Sequence, residues 1–225
     1  MKRDIILTTD GSHSIAIPEM GVTYHSSHGA IRESMHVFIE AGLRYMNERL
    51  TQPGALSIFE MGFGTGLNAL LSLAEAEKNQ QKIYYETIEP YPLEKSTIEI
   101  LNYCSQLERP DLEPLFTLMH GCEWNSTVPV SPYFSFIKKK TKLADFSTNQ
   151  LFNIVFFDAF APDIQPDLWT AAIFRKLYAA METNAVLTTY CSKSIVRKAM
   201  TEAGLKVEKI TGPPHKREMV RAVKL

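Results

Sequence analysis

From Ala55 onward, apolar runs of strand length alternate with runs of helical period. "ALSIFEMG" precedes "GLNALLSLAEAEKN", "KIYYETIE" precedes "PLEKSTIEILNYC", and "LFNIVFFDAF" precedes "PDLWTAAIFRKLYAAME". "AVLTTYC" then precedes "SKSIVRKAMTEAG". Parallel strands need a long crossover between them, which a helix supplies, so this alternation predicts an open, doubly wound α/β sheet with helices on both faces. "LFNIVFFDAF" is apolar on both faces, as a central parallel strand must be. "LFTLMHG" is read as a further strand of the same series. The last two strand-like runs, "LKVEKITG" and "REMVRAVKL", have only a turn through Gly212, Pro213 and Pro214 between them, so one of the two must run antiparallel. The count is seven strands, mostly parallel, in a Rossmann-like arrangement. The stretch Asn125 to Gln150, with its prolines, serines and lysines, does not fit this rhythm. It reads as an insertion beside the ligand-binding edge or, equally, as a solvated loop.

Ahead of the alternation lie a hairpin signal and a helix. "DIILTTDGSHSIAIP" is two β-prone runs around Asp10-Gly11, and Ile31, Met35, Phe38, Ile39, Leu43 and Met46 recur at helical spacing before Pro53-Gly54 stops the run. Residues 1–54 are therefore expected to form a small hairpin-and-helix extension, and residues 55–225 the main domain. A chain of 225 residues, 45% of them hydrophobic, can bury one substantial core. Three cysteines with no CxxC pair argue against a disulfide framework or a zinc cluster. No apolar run reaches the roughly 18 residues of a membrane span, and "MKRDIILTTDGS" has no signal-peptide core, so a cytoplasmic protein without a membrane partner is expected. Net charge is −1, so any nucleic acid must be met by local basic patches.

The first strand runs into "FEMGFGTGLNALL", with Gly62, Gly64 and Gly66 at alternate positions. In an open parallel sheet, ligands bind beyond the carboxyl ends of the strands, and glycines there let backbone approach the ligand. A dinucleotide site favours GxGxxG, whereas this turn is GxGxG preceded by an acid, Glu60. A carboxylate suits a ligand with positive charge, such as the sulfonium and amino group of S-adenosylmethionine, better than a pyrophosphate. A tight turn with no ligand is the competing reading of the glycines alone. Glu89, ending the next strand, is placed to accept hydrogen bonds from ribose hydroxyls. At the end of "LFTLMHG" the adenine contact falls to Cys122 or Glu123, with Trp124 as a wall for the base. Phe63 and Asn68 complete the cofactor-side set. Asp158 ends the fourth strand and is followed by Phe160 and Pro162; it is the candidate catalytic residue, facing the acceptor, although an Asp there can also serve as a helix cap.

These segments resemble a known family, the methyltransferase part of MnmC, which acts in tRNA 5-methylaminomethyl-2-thiouridine biosynthesis. The likeness runs from "VTYHSSHGAIRESMHVFI" through "FEMGFGTGLNALL" and "FFDAFAPDIQPDLWT" to "GLKVEKITGPPHKREMV". It implies a class I S-adenosylmethionine-dependent methyltransferase that methylates the 5-aminomethyl group of the tRNA wobble uridine, with Asp158 as its aspartate. Bifunctional relatives carry an oxidase domain as well; since the sequence stops at Leu225, the resemblance implies a separate oxidase as partner. Cys122 departs from the aspartate common in relatives. Phe160, Lys216 and Arg217 are the expected substrate-binding residues, with Lys138, Lys139, Lys140 and Lys142 as a second basic patch, and Tyr24 and Glu33 as residues that close over the cofactor; the competing readings are a hairpin with solvated charges at Lys216 and Arg217, and a surface helix position for Glu33. The alternatives are a small-molecule amine methyltransferase or aminopropyltransferase on the same fold, or an inactive RNA-binding subunit.

Overall fold

The computed structural model describes residues 2–50 and 54–225. Pro53 and the boundary drawn beside it adjoin or fall among residues outside that description.

An eight-stranded sheet forms the centre. Its strands are β4 (Leu56–Met61), β5 (Ile83–Ile88), β6 (Val128–Ser131), β7 (Phe134–Lys139), β8 (Phe152–Phe157), β9 (Met181–Thr189), β10 (Lys206–Thr211) and β11 (Glu218–Val223). Their order is β10-β11-β9-β8-β4-β5-β7-β6. Strands β9, β8, β4, β5 and β7 pair in parallel, while β11 runs antiparallel to both its neighbours and β6 antiparallel to β7. The sheet thus has one strand more than expected.

The residues that make the extra pair are those read as an insertion. "LFTLMHG" is not a strand: Glu113–Gly121 is a helix, α6, started by Pro114 in its first turn and burying Phe116 and Met119 at i, i+3 spacing. The strand beside β5 is β7, "FSFIKK", whose alternating Phe134, Phe136 and Lys138 point to one buried face. Lys138 is 2% exposed. Its Nζ donates to the carbonyl of His120 at the end of α6 and sits 4.7 Å from the Trp124 ring centroid.

Alternation fixes the two faces. Ile58, Ile154 and Phe156 point into one apolar cluster with α3 (Leu67–Asn79) and the helical run over residues 30–49. Phe59, Met61, Val155 and Phe157 point into the other, with α7 (Ala171–Ala179) and α8 (Ser194–Glu202). The run 30–49 is α1 (Ala30–Ser34), a π-helical segment (Met35–Arg44) and α2 (Tyr45–Arg49). It contributes Val37, Phe38, Ile39 and Leu43 to the first cluster, so the N-terminal segment shares the main core. Between β5 and α6, one long predicted helix is replaced by two short ones, α4 (Lys95–Ile98) and α5 (Tyr103–Gln106).

The N-terminal hairpin is β1 (Asp4–Leu7) and β2 (His13–Ile17), joined through Asp10-Gly11, with a short third strand, β3 (Val22–Thr23). Asp10 accepts from the Ser12 and Arg32 amides, tying the turn to the start of α1. Asn102 holds the hairpin from the far side, accepting from the His13 amide and donating to the Gly11 carbonyl. The hairpin is thereby set over the carboxyl ends of the central strands.

Candidate active site

Beyond the carboxyl ends of β4, β5 and β8 lies a cleft of about 530 Å3. That falls in the 300–1,000 Å3 range of small-molecule sites, at the place where an open α/β sheet binds ligands.

Its floor is the glycine turn. Gly62 (φ +93°) and Gly64 (φ +50°) both line the cleft in left-handed backbone. A Cβ on Gly62 would lie 3.0 Å from the Asp158 carbonyl oxygen, and one on Gly64 would lie 3.2 Å from the Tyr24 ring. Gly66 does not line the cleft; it starts α3, and a Cβ there would meet His120 at 2.7 Å. Two histidines pin the turn through Thr65: the His25 Nε2 lies 2.7 Å from its hydroxyl, and the His120 Nε2 donates to its carbonyl at 3.1 Å. Burial pulls both imidazoles down to about 4, so each is neutral at pH 7. Glu89 ties the turn to the end of β5, accepting from the Gly64 amide (2.9 Å) with one oxygen and from the Tyr91 amide (2.8 Å) with the other. Each carboxylate oxygen keeps a further lone pair for a ligand hydroxyl.

Glu60 corrects the sequence reading. It is 0% exposed, lies beneath the turn and does not line the cleft. Tyr85, Thr87 and Asn68 surround it, yet neither of its oxygens has a hydrogen-bond partner of ordinary geometry. Burial pushes its carboxyl well above the ordinary range, and its side chain does not reach the cleft where a cationic ligand would lie. Cys122 and Glu123 are a second correction. They follow helix α6 rather than a strand, lie outside the cleft lining, and the Cys122 thiol donates to the Met119 carbonyl. Trp124 is taken up by Lys138 instead of a base.

The wall beside the floor is built from "DAFAP". Asp158 lines the cleft and accepts from the Asn68 Nδ2 at 2.9 Å. Burial raises its carboxyl to about 7; the Asn68 bond and the Lys216 charge pull it down, and the Glu33 charge pushes it up. Three side chains fix the loop after it. Trp169 donates to the Phe160 carbonyl (2.8 Å), Tyr190 donates to the Ala159 carbonyl (2.9 Å), and Gln165 accepts from the Phe160 amide (3.0 Å). Phe160 meets the edge of Tyr24, centroids 5.4 Å apart. Tyr24, Glu33, Phe160, Tyr190 and Lys216 all face the cleft, whereas Phe63 and Asn68 line its base. Tyr190, Trp169, Gln165, His25 and His120 were missed from sequence. Trp169 and Gln165 stood inside the quoted "DIQPDLW", where a tryptophan beside a proline-aspartate turn was the available signal.

The basic patches divide. Lys138 is buried, and Lys139 is paired with the buried Glu86 at 2.6 Å, so neither is a free surface charge. Lys140, Lys142 and Arg217 are exposed, and Arg217 lies outside the cleft lining.

A bare glycine cradle, a carboxylate at the end of the next strand and a half-buried aspartate beside the cradle fit S-adenosylmethionine, and with the sheet they define a class I S-adenosylmethionine-dependent methyltransferase. The comparisons agree. A family model described as S-adenosyl-L-methionine-dependent methyltransferase matches residues 126–225. The bifunctional tRNA 5-methylaminomethyl-2-thiouridine biosynthesis protein MnmC of Burkholderia mallei (strain NCTC 10229) is 28% identical over 96% of this chain and 34% of its own length. That of Nitrosospira multiformis is 29% identical over 89% of this chain and 34% of its own length. The crystal structure of MNMC2 from Aquifex aeolicus superposes with a TM-score of 0.78 at 25% identity, covering 98% of this chain and 69% of that one. The chain spans about a third of the length of the curated relatives it matches. Within the methyltransferase class, its sequence and its fold are similar to MnmC proteins over nearly its whole length. Among the described residues no helix is long and apolar enough to cross a membrane, and no group of metal-ligating side chains is found.

Proposed function

We propose that this chain transfers a methyl group from S-adenosylmethionine to the 5-aminomethyl nitrogen of the wobble uridine in tRNA, in the cytoplasm. The observation that carries the reading is Asp158, tied to Asn68 in the cleft beside the glycine cradle, in a chain similar to MnmC over nearly its whole length. Residues 55–225 supply the methyltransferase domain, and residues 1–54 are an extension that completes its cleft. A separate oxidase that releases the aminomethyl group is the matching partner.

The site residues take these roles. Gly62, Phe63, Gly64 and Asn68 hold the cofactor at the floor and Glu89 accepts from its ribose. When bound, S-adenosylmethionine supplies an electrophilic methyl group. The acceptor arrives as an ammonium with a lysine-like pKa near 10.4, and releasing its proton to solvent at neutral pH costs roughly 4–5 kcal/mol. Positioning the two reactants contributes about 7–11 kcal/mol, which exceeds that cost. The Asp158 carboxylate would orient the neutral amine toward that methyl group and face the cation that develops on nitrogen. Phe160 and Tyr24 flank the acceptor. Lys140, Lys142 and Arg217 are the exposed cations left to meet phosphates, so tRNA affinity falls steeply with salt.

Incubation with labelled S-adenosylmethionine and tRNA from cells lacking the modification tests the reading. Label in 5-methylaminomethyl-uridine is expected. Label passing to small amines and not to tRNA would favour a small-molecule methyltransferase.

A further inference from the structure

The cleft already holds a primary ammonium, that of Lys216. Its Nζ lies 2.6 Å from the Glu33 Oε1 and 4.4 Å from the centroid of the Tyr190 ring, and all three residues line the cleft with Asp158. A carboxylate oxygen with an aromatic face beside it is what a primary alkylammonium requires.

The two receiving groups are fixed and the lysine is not. The second oxygen of Glu33 accepts from the Ser26 amide at 2.8 Å, and the Glu33 side chain is 11% exposed. Tyr190 is fixed by its bond to the Ala159 carbonyl, next to Asp158. Lys216 instead extends a four-carbon stem from the turn between β10 and β11, and its side chain is 38% exposed. Its neighbours there are Arg217, which is exposed, and His215, which stacks on His28 at 4.0 Å outside the cleft.

We propose that Glu33 and Tyr190 form the docking site for the acceptor's ammonium, and that Lys216 is its resident stand-in, withdrawn when tRNA arrives. This rests on the aminomethyl-uridine reading of the cleft and deepens it. A free amine has to displace Lys216 unaided. An amine carried on a polyanion brings phosphates that receive the displaced lysine, so the exchange becomes a filter for amines on nucleic acid. The arrangement follows the arithmetic of a site competent in only a fraction of molecules, whose apparent affinity is reduced by that fraction.

The test uses the full chain and 5-aminomethyluridine as the free nucleoside, with binding read by calorimetry in the presence of S-adenosylhomocysteine, so that no methyl transfer is needed. Lys216→Ala, and Lys216→Met, which keeps a stem packed on Tyr190, are each expected to bind the nucleoside roughly five- to thirtyfold more tightly than wild type, the combined worth of a partly exposed ion pair and a cation–aromatic contact. Lys216→Arg keeps the plug and should not. Adding Glu33→Gln to Lys216→Met should abolish the gain. With tRNA the Lys216→Met change should be small, because a phosphate contact is lost as the docking site is freed, so the preference for tRNA over nucleoside narrows. Unchanged nucleoside affinity in both folded Lys216 variants overturns the proposal, as does a gain that survives Glu33→Gln. Failure of wild type to methylate tRNA would instead count against the reading beneath it, and the binding measurement keeps the two failures apart.

Discussion

The floor and the wall of the cleft are made in different ways. The floor is local, the glycine turn between β4 and α3 with Glu89 at the end of the adjoining strand, held by backbone bonds such as those from the Gly62 and Phe63 amides to the Ile88 carbonyl. The wall is gathered from Tyr24, Glu33, Asp158, Phe160, Tyr190 and Lys216, and held by side chains reaching between distant elements. Local chain chemistry suffices to make a cradle for a cofactor. A site for one particular acceptor has to be assembled from tertiary contacts.

His25 joins the two regions, since it comes from the N-terminal segment and bonds Thr65 in the floor. It stays neutral when folded, with its imidazole lowered from 6.5 to about 4 by burial. The unfolded chain therefore binds the extra proton between these values, and the contribution is present above pH 6.5 and lost as pH falls through about 4. Compared with His25→Gln, wild type should lose up to about 3 kcal/mol of stability across that window. Denaturant unfolding at pH 7, 5.5 and 4 checks this. A difference independent of pH would show that His25 does not couple wall to floor in the neutral form. Asp158 contributes with the opposite sign, because its carboxyl is raised to about 7 and the folded chain holds the extra proton.

Glu89→Ala sharpens the contrast from the floor side. It should weaken S-adenosylmethionine by roughly 1.5–3 kcal/mol, the range for bonds to a charged group, and leave acceptor affinity unchanged. An equal loss of nucleoside binding would mean that floor and wall are one unit. Tyr190→Phe does the reverse and on a smaller scale. Losing the bond to the Ala159 carbonyl should cost about 0.5–1.5 kcal/mol, read as a raised KM for tRNA with cofactor affinity intact. A change in cofactor affinity alone would place Tyr190 on the other side.

This contrast also explains what the sequence made legible. The glycine turn, the strand ending at Glu89 and the strand ending at Asp158 are local patterns and stand where periodicity put them. The third strand was hidden because β7 carries Lys138 at an inward position, where a buried stem with its amine on the His120 carbonyl imitates a polar loop in sequence. Helix α6 was misread because "LFTLMHG" is short enough to fit either period, and the adenine assignment to Cys122 and Glu123 fell with it. Glu60 was misjudged because no local pattern distinguishes a carboxyl facing a ligand from one sealed under the turn. The hold of Trp169, Gln165 and Tyr190 on the Asp158 loop depends on tertiary packing and has no local signature.

The central claim is that Asp158 serves the acceptor and not the cofactor. Asp158→Asn preserves size and an acceptor for Asn68 while removing the charge. The measurement is single-turnover methylation of aminomethyl-uridine tRNA at saturating S-adenosylmethionine, together with cofactor binding by calorimetry. Removing one preorganised electrostatic group should cost about 2.7–4 kcal/mol, a rate lower by roughly a hundred- to a thousandfold, with cofactor affinity nearly unchanged. A rate within about threefold of wild type, a deficit under about 1 kcal/mol, would contradict the account and leave Asp158 a structural residue of the loop.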